Sequence, residues 1–245
     1  MGRNLYYIAL ILLVFPFACQ KGESDCFSGT GENTVEYREL PPFSQIEFGG
    51  LLELNLVQNL SDTFSIQLEG PSDILDGIQA TVESGVLKLK NVNRCKWLKQ
   101  SGQSLKINLN IHHLDKILVE GSASLSSSDS LQLDNFVLEQ QSTGSIDLLL
   151  NSGQLEVNSF QAGPITLKGY AAVLVTTLYD TGPLYSANLQ SDYCFVYNYG
   201  LNDAHVNPFK VLESHIQNSG NVYYYADPIE SLSAEGRGKG QCVRR

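Results

Sequence analysis

The residues of this sequence best able to do chemistry are its five cysteines, its four histidines and a tyrosine-rich stretch near the C-terminus. Cys19 ends an apolar run, LYYIALILLVFPFA, that follows a single charge at Arg3. A charged start, a short apolar run and a small residue before the cysteine predict an export signal over residues 1–18, too short to span a membrane. Cys26, Cys95, Cys194 and Cys242 are left, and an even number in an exported chain points to disulfides. Four cysteines permit three pairings, and their spacing selects none. There is no C-x-x-C and no histidine at metal-clip spacing, so no metal site is expected. His112 and His113 fall together between strands, and His205 and His215 lie far along the chain; all four read as surface residues.

The stretch SDYCFVYNYG carries Tyr193, Phe195, Tyr197 and Tyr199 on one face of a strand and Cys194, Val196 and Asn198 on the other. Further on, NVYYYAD adds Tyr223, Tyr224 and Tyr225. Cys194 and Val196 suit a narrow interior better than a row of rings, so the aromatic face is expected outside. If the next coil keeps register, Val222 and Tyr224 point in, while Tyr223 and Tyr225 stack beside Tyr197 and Tyr199. The six residues Tyr193, Phe195, Tyr197, Tyr199, Tyr223 and Tyr225 then form one strip able to stack on sugar rings or pack on a protein. The competing reading is a set of aromatics that only stabilise neighbouring strands.

Enzyme chemistry finds little support. Histidines aside, Lys168 and Lys210 are the only basic residues between Ile117 and Tyr225, which starves a glycan lyase of its catalytic cation. Neither G-G-x-G-x-D nor G-x-S-x-G occurs. The chain therefore reads as non-catalytic and free of cofactors. Its formal net charge of -10 excludes nucleic acid as a partner, since phosphate binding needs a basic surface. Arg237, Lys239, Arg244 and Arg245 read as part of a solvated tail.

These residues must be positioned by strands. From Thr34 on, short runs alternate with period two between Gly, Asn, Ser, Asp and Pro, as in Leu52-Glu53-Leu54-Asn55-Leu56. One stretch, PSDILDGIQ from Pro71, could hold a helical turn capped by Ser72 or Asp73. Glycines opening an apolar strand recur at Gly121, Gly144, Gly169 and Gly220, and GSASL at Gly121 returns as GSIDL at Gly144. Val137 and Val211 open a second echo. Both markers predict a stacked architecture with coils of about 22–26 residues. One turn of a parallel β-helix accounts for that length, with GSASL and GSIDL as the same corner in consecutive coils. A β-sandwich or meander is the runner-up, but it has no reason to keep a period.

TVEYRELPPFSQIEF from Thr34, followed by LELNLVQ, GVLKLKN at Gly85 and the GSASL/GSIDL repeats, resembles the head GIN domain family of auto-transporter adhesins. The likeness runs from Val35 to Lys239. It implies a right-handed parallel β-helix-like, all-β solenoid, an exported envelope protein of the Bacteroidetes type and an adhesin-like role, and it brings no catalytic residues. NRCKWLK at Asn93 resembles a subgroup in which this cysteine accompanies one near the mature N-terminus. That implies Cys26 with Cys95, and leaves Cys194 with Cys242 as the remainder. Ala18-Cys19 is similar to the bacterial lipoprotein signal, with Pro16 where an aliphatic residue is usual. It predicts lipidation at Cys19, a tether over residues 19–33, one domain over 34–240 and a tail over 241–245. The expected partners are a membrane, the outer one by preference, through that lipid, and a glycan or protein ligand.

Overall fold

The computed structural model describes residues 31–59, 63–93 and 105–245. The architecture is almost all β, with a stacked parallel β-solenoid of about 6 turns. Before the solenoid come β1 (Asn33–Leu40), β2 (Gln45–Gly50), β3 (Glu53–Gln58), β4 (Phe64–Pro71), the single turn α1 (Ser72–Leu75), β5 (Ile78–Glu83), β6 (Val86–Asn91) and β7 (Lys106–Ile111). In α1 the capping position is Pro71 and no side chain caps the turn, so neither Ser72 nor Asp73 acts as the expected cap.

The coils begin at β8 (Lys116–Gly121) and β9 (Ser124–Ser127) and continue through β10 (Leu131–Ser142), β11 (Ile146–Ser159), β12 (Ile165–Leu178), β13 (Leu184–Asn198) and β14 (Ala204–Ile216). They end at β15 (Val222–Tyr224), β16 (Ser231–Glu235) and β17 (Cys242–Arg244). Each long strand alternates inward and outward residues, then breaks parity at adjacent outward residues, as at Gly153-Gln154 in β11 and Phe209-Lys210-Val211 in β14. There it bends around the core, so its two halves lie on opposite faces. One face runs β5-β6-β2-β8, then the second halves of β10 to β14, then β16. The other runs β1-β4-β7-β3-β9, then the first halves of β11 to β14, then β15 and β17.

The core consists of columns, one residue per coil. Ile146, Ile165, Leu184, Ala204 and Val222 form one, and Phe136, Leu155, Leu174, Cys194 and Leu212 form another. Every one of these side chains is buried. A fully buried aliphatic side chain stabilises by roughly 1.5–3 kcal/mol, so such columns hold the stack together.

Paired residues in successive coils are 17 to 21 positions apart, as Ile146 with Ile165 (19) shows. The coils are thus shorter than the expected 22–26. GSASL and GSIDL do share a corner, but Leu125 pairs with Ile146 rather than with Leu148. Residues 241–245, expected as a tail, contain β17, which pairs with β15 and closes the last coil. Cys194 and Cys242 hold free thiols instead of the expected disulfide. Cys194 faces the core on β13, whereas Cys242 pairs with Val222 and Val222 with Ala204. Cys19, Cys26 and Cys95 lie outside the described residues, as do the export signal and the tether up to residue 30.

Candidate functional site

Corners decide what the surface presents. After the second halves of β11, β12 and β14 the chain turns through Gly163, Gly182 and Gly220. A Cβ on Gly163 would run into the carbonyls of Gly144 and Ser142 in the coil beneath, and one on Gly220 into the Asn202 carbonyl. Only glycine lets adjacent corners approach this closely. Inside the same corner sits a polar column. Ser159 Oγ donates to Gln140 Oε1 (2.9 Å), Gln140 Nε2 donates to the Gly163 carbonyl (3.3 Å), and Asn198 Nδ2 donates to the Asn202 carbonyl (3.1 Å). All three side chains are buried, and these bonds satisfy them and the corner carbonyls together.

On the outside of this corner the first turn residue is Phe160, then Tyr179, then Tyr199. The amide of each bonds the preceding coil: Phe160 N to Gln140 O, Tyr179 N to Ser159 O and Tyr199 N to Leu178 O. Rung spacing therefore becomes ring spacing. Phe160 and Tyr179 stack with centroids 4.9 Å apart at 6°, and Tyr179 and Tyr199 at 5.5 Å and 9°. The three side chains are 39%, 51% and 41% exposed. Beside them on the outer face, Tyr197 stacks on His215 at 5.0 Å and 6°.

Tyr193, Phe195, Tyr197 and Tyr199 do face outward, while Cys194, Val196 and Asn198 are buried. The continuation through Tyr223 and Tyr225 is different from that expected. Tyr197 pairs with His215 in the next coil, and Tyr223 pairs with His205 on the opposite face. The expected match of Tyr197 with Tyr223 needed a longer coil than any in this solenoid. Tyr223 and Tyr225 instead join Tyr185 around His205, with centroids 5.2 Å, 5.9 Å and 5.4 Å from its ring. His205 Nδ1 bonds Tyr225 Oη at 2.9 Å, and Arg245 lies over the Tyr223 ring at 4.2 Å. Burial lowers the pKa of His205; Asp203 opposes that and Arg245 adds to it. Tyr193 sits apart from both groups beneath Lys210, whose Nζ is 5.4 Å from the ring centroid and donates to Asp192 (2.8 Å).

Phe160 and Tyr179 were not anticipated. Their signal is nevertheless in the sequence: FQAGPI at Phe160 and YDTGPL at Tyr179 repeat an aromatic-x-x-Gly-Pro-aliphatic phrase at the spacing of one coil. The opposite bend carries a second feature, an open polar notch of about 360 Å³ lined by His113, Gln132, Asp134, Asn151, Gly153 and Tyr170, among others. Gly153 and Ala172, small residues at successive bends, also line it. Asn151 Nδ2 donates to Gln132 Oε1 (3.1 Å), and His113 bonds Asp115 (2.6 Å). Burial, and then Asp192, raise the pKa of Tyr170. Carboxylate, amide and phenol groups around a shallow notch suit a ligand rich in hydroxyls.

A family model described as "Putative auto-transporter adhesin, head GIN domain" matches residues 42–228. No curated protein matches the chain. Among solved structures, a protein described as a "putative adhesin" from Bacteroides fragilis superposes with a TM-score of 0.77 at 20% identity, covering 87% of this chain and 97% of that one. A "putative lipid binding protein" from Parabacteroides distasonis gives 0.64 at 16% identity, covering 89% and 98%. A "putative adhesin" from Parabacteroides merdae gives 0.59 at 17% identity, with the same coverages. At these identities the likeness is one of fold.

Proposed function

The chain belongs to the head GIN domain family of auto-transporter adhesins, matched over residues 42–228, and from that premise we propose that it is a non-catalytic, adhesin-like binding module of the cell envelope, anchored to the outer membrane by a lipid on Cys19. Its ligand is a neutral glycan. The observation that carries this reading is the exposed ladder Phe160-Tyr179-Tyr199, extended sideways by Tyr197 and His215. Because the rings cover each other's faces, they offer their edges and the Tyr179 and Tyr199 hydroxyls, one step per coil. Such a row combines apolar edge contact with hydrogen bonding, which is what a sugar chain demands. The polar notch supports the same ligand chemistry, and a formal charge of -10 disfavours an acidic one. The attachment proposed is the lipid on Cys19; among the described residues no helix is long and apolar enough to cross a membrane.

A second reading is favoured by the stacking itself. Rings this nearly parallel stabilise adjacent coils whether or not anything binds them. Glycan-array binding of the mature domain separates the two: retention of defined glycans supports the module, and an array without binding, together with a loss of stability on removing the rings, supports the scaffold. Binding confined to proteins would replace the glycan by a protein partner.

A further inference from the structure

The two ends of the stack are finished differently. At the N-terminal end Arg38 on the edge strand β1 donates to the carbonyls of Leu75 and Ile78 and pairs with Glu36 at 2.8 Å. The turn α1 buries Ile74 and Leu75 there. At the C-terminal end β16 pairs with β14 alone and β17 with β15 alone. Leu232 extends the column Phe136, Leu155, Leu174, Cys194 and Leu212, yet it is 48% exposed where the others are buried. Ala234 likewise extends the column through Val196 and Ser214 and is exposed. Ile229 beside them is 67% exposed. An open strand edge over an exposed core column is a pairing surface.

We propose that this end is covered by a second copy of the chain, tail to tail, with β16 pairing antiparallel to its own counterpart about Ser233. The sequence of β16, SLSAE, is suited to this. Pairing about Ser233 sets Leu232 opposite Ala234 of the second copy and Ser231 opposite Glu235. Directly opposed residues share a face, so both leucines and both alanines continue the two core columns across the junction while the serines and glutamates stay in water. A slip of one residue would oppose Leu232 to Glu235, and the pattern therefore selects the register. Charge permits the contact. From Asp227 to Arg245 there are four cations, Arg237, Lys239, Arg244 and Arg245, and three anions, Asp227, Glu230 and Glu235, so two such ends meet without the repulsion that a net -10 would impose elsewhere. The isologous contact also closes at two copies, whereas docking this end on the N-terminal edge would propagate into filaments and would have to displace Arg38.

The test is sedimentation of the full chain over a range of concentrations, joined to cross-linking with a bis-maleimide. The full chain should form a dimer, and Leu232→Arg should weaken it at least tenfold. Ser233→Cys, a substitution on the outward face, should yield a peptide linked from residue 233 to residue 233, identified by mass against the parent chain. A chain that stays monomeric at every concentration overturns the proposal. So does an assembly that survives Leu232→Arg, or one that cross-links through Thr81→Cys on β5 but not through Ser233→Cys. The Ser233→Cys result stands independently should Leu232→Arg fail to fold.

Discussion

Tyr199 lies over Tyr179 with ring centroids 5.5 Å apart and planes 9° from parallel. The two are separated by one coil, in sequence as in space, and each ring is held by the backbone bond of its own amide to the coil beneath. A ring fixed at its backbone loses little further freedom on binding, and aromatic residues bury much area with few rotatable bonds. The exposed corner is therefore both a seam of the solenoid and its best-prepared contact surface.

The corner geometry makes Gly163 more than a flexible position. Gly163→Ala should destabilise the domain by about 1–3 kcal/mol, the range for forcing added atoms into packed surroundings, because the new methyl meets the Gly144 and Ser142 carbonyls. Gly85→Ala offers a control of another kind: nothing obstructs its Cβ, and its φ of 79° costs conformational strain alone. Chemical denaturation of both variants measures the difference. An unchanged midpoint for Gly163→Ala would contradict the account of the corners.

Cys194 is buried, and that burial pushes its pKa up to about 12, with Cys242 adding to the rise. Cys242 is half-buried, and burial raises its pKa too. Only thiolates react rapidly. Native iodoacetamide labelling at pH 8 should leave Cys194 unmodified and label Cys242 slowly, and both should react on unfolding. A peptide in which Cys194 is linked to Cys242 under non-reducing digestion would contradict the two free thiols.

For His205 the sign follows from its lowered pKa. In the unfolded chain it binds a proton as pH falls through 6.5, while the folded protein resists protonation until lower pH. The unfolded state thus holds more protons in that window, and stability falls with falling pH there. Thermal melts at pH 7.5 and 5.5 should show a smaller loss for His205→Gln than for the unaltered chain. Equal losses would remove His205 from the pH response.

The membrane anchor is tested by Cys19→Ser, which should abolish incorporation of labelled fatty acid and move the protein from the membrane to the soluble fraction. A variant that still sediments with membranes would rule the lipid out.

Much of the fold is legible in the sequence alone. Period-two alternation located the strands, and the glycine phrases located the stacking, because backbone crowding at a corner leaves a mark on composition. The inward choice of Cys194 and Val196 over Tyr197 followed from side-chain volume. The glycine phrases overstate the coil length because Gly121 and Gly144 are not equivalent: Gly121 pairs with Ser142, and Gly144 sits slightly later in the corner. That small error carried Tyr197 to Tyr223 instead of to His215. The clean marker was Ile146, Ile165 and Leu184, each just past a Gly-Ser or Gly-Pro pair, which keep one constant spacing and pair directly with one another. The strand β17 was hidden because Cys242–Arg244 is short and charged and pairs with another coil on one side only.

Glycan binding by the Phe160-Tyr179-Tyr199 corner is decided by a quantitative glycan array. The mature domain is compared there with the Tyr179→Ser/Tyr199→Ser variant, and each is checked by circular dichroism. The parent should retain at least one neutral glycan, and the variant, still folded, should bind it about tenfold more weakly or worse, a loss of roughly 1.4 kcal/mol. Retention unchanged in the folded variant would contradict the claim, as would an array on which the parent binds nothing while the variant merely melts earlier.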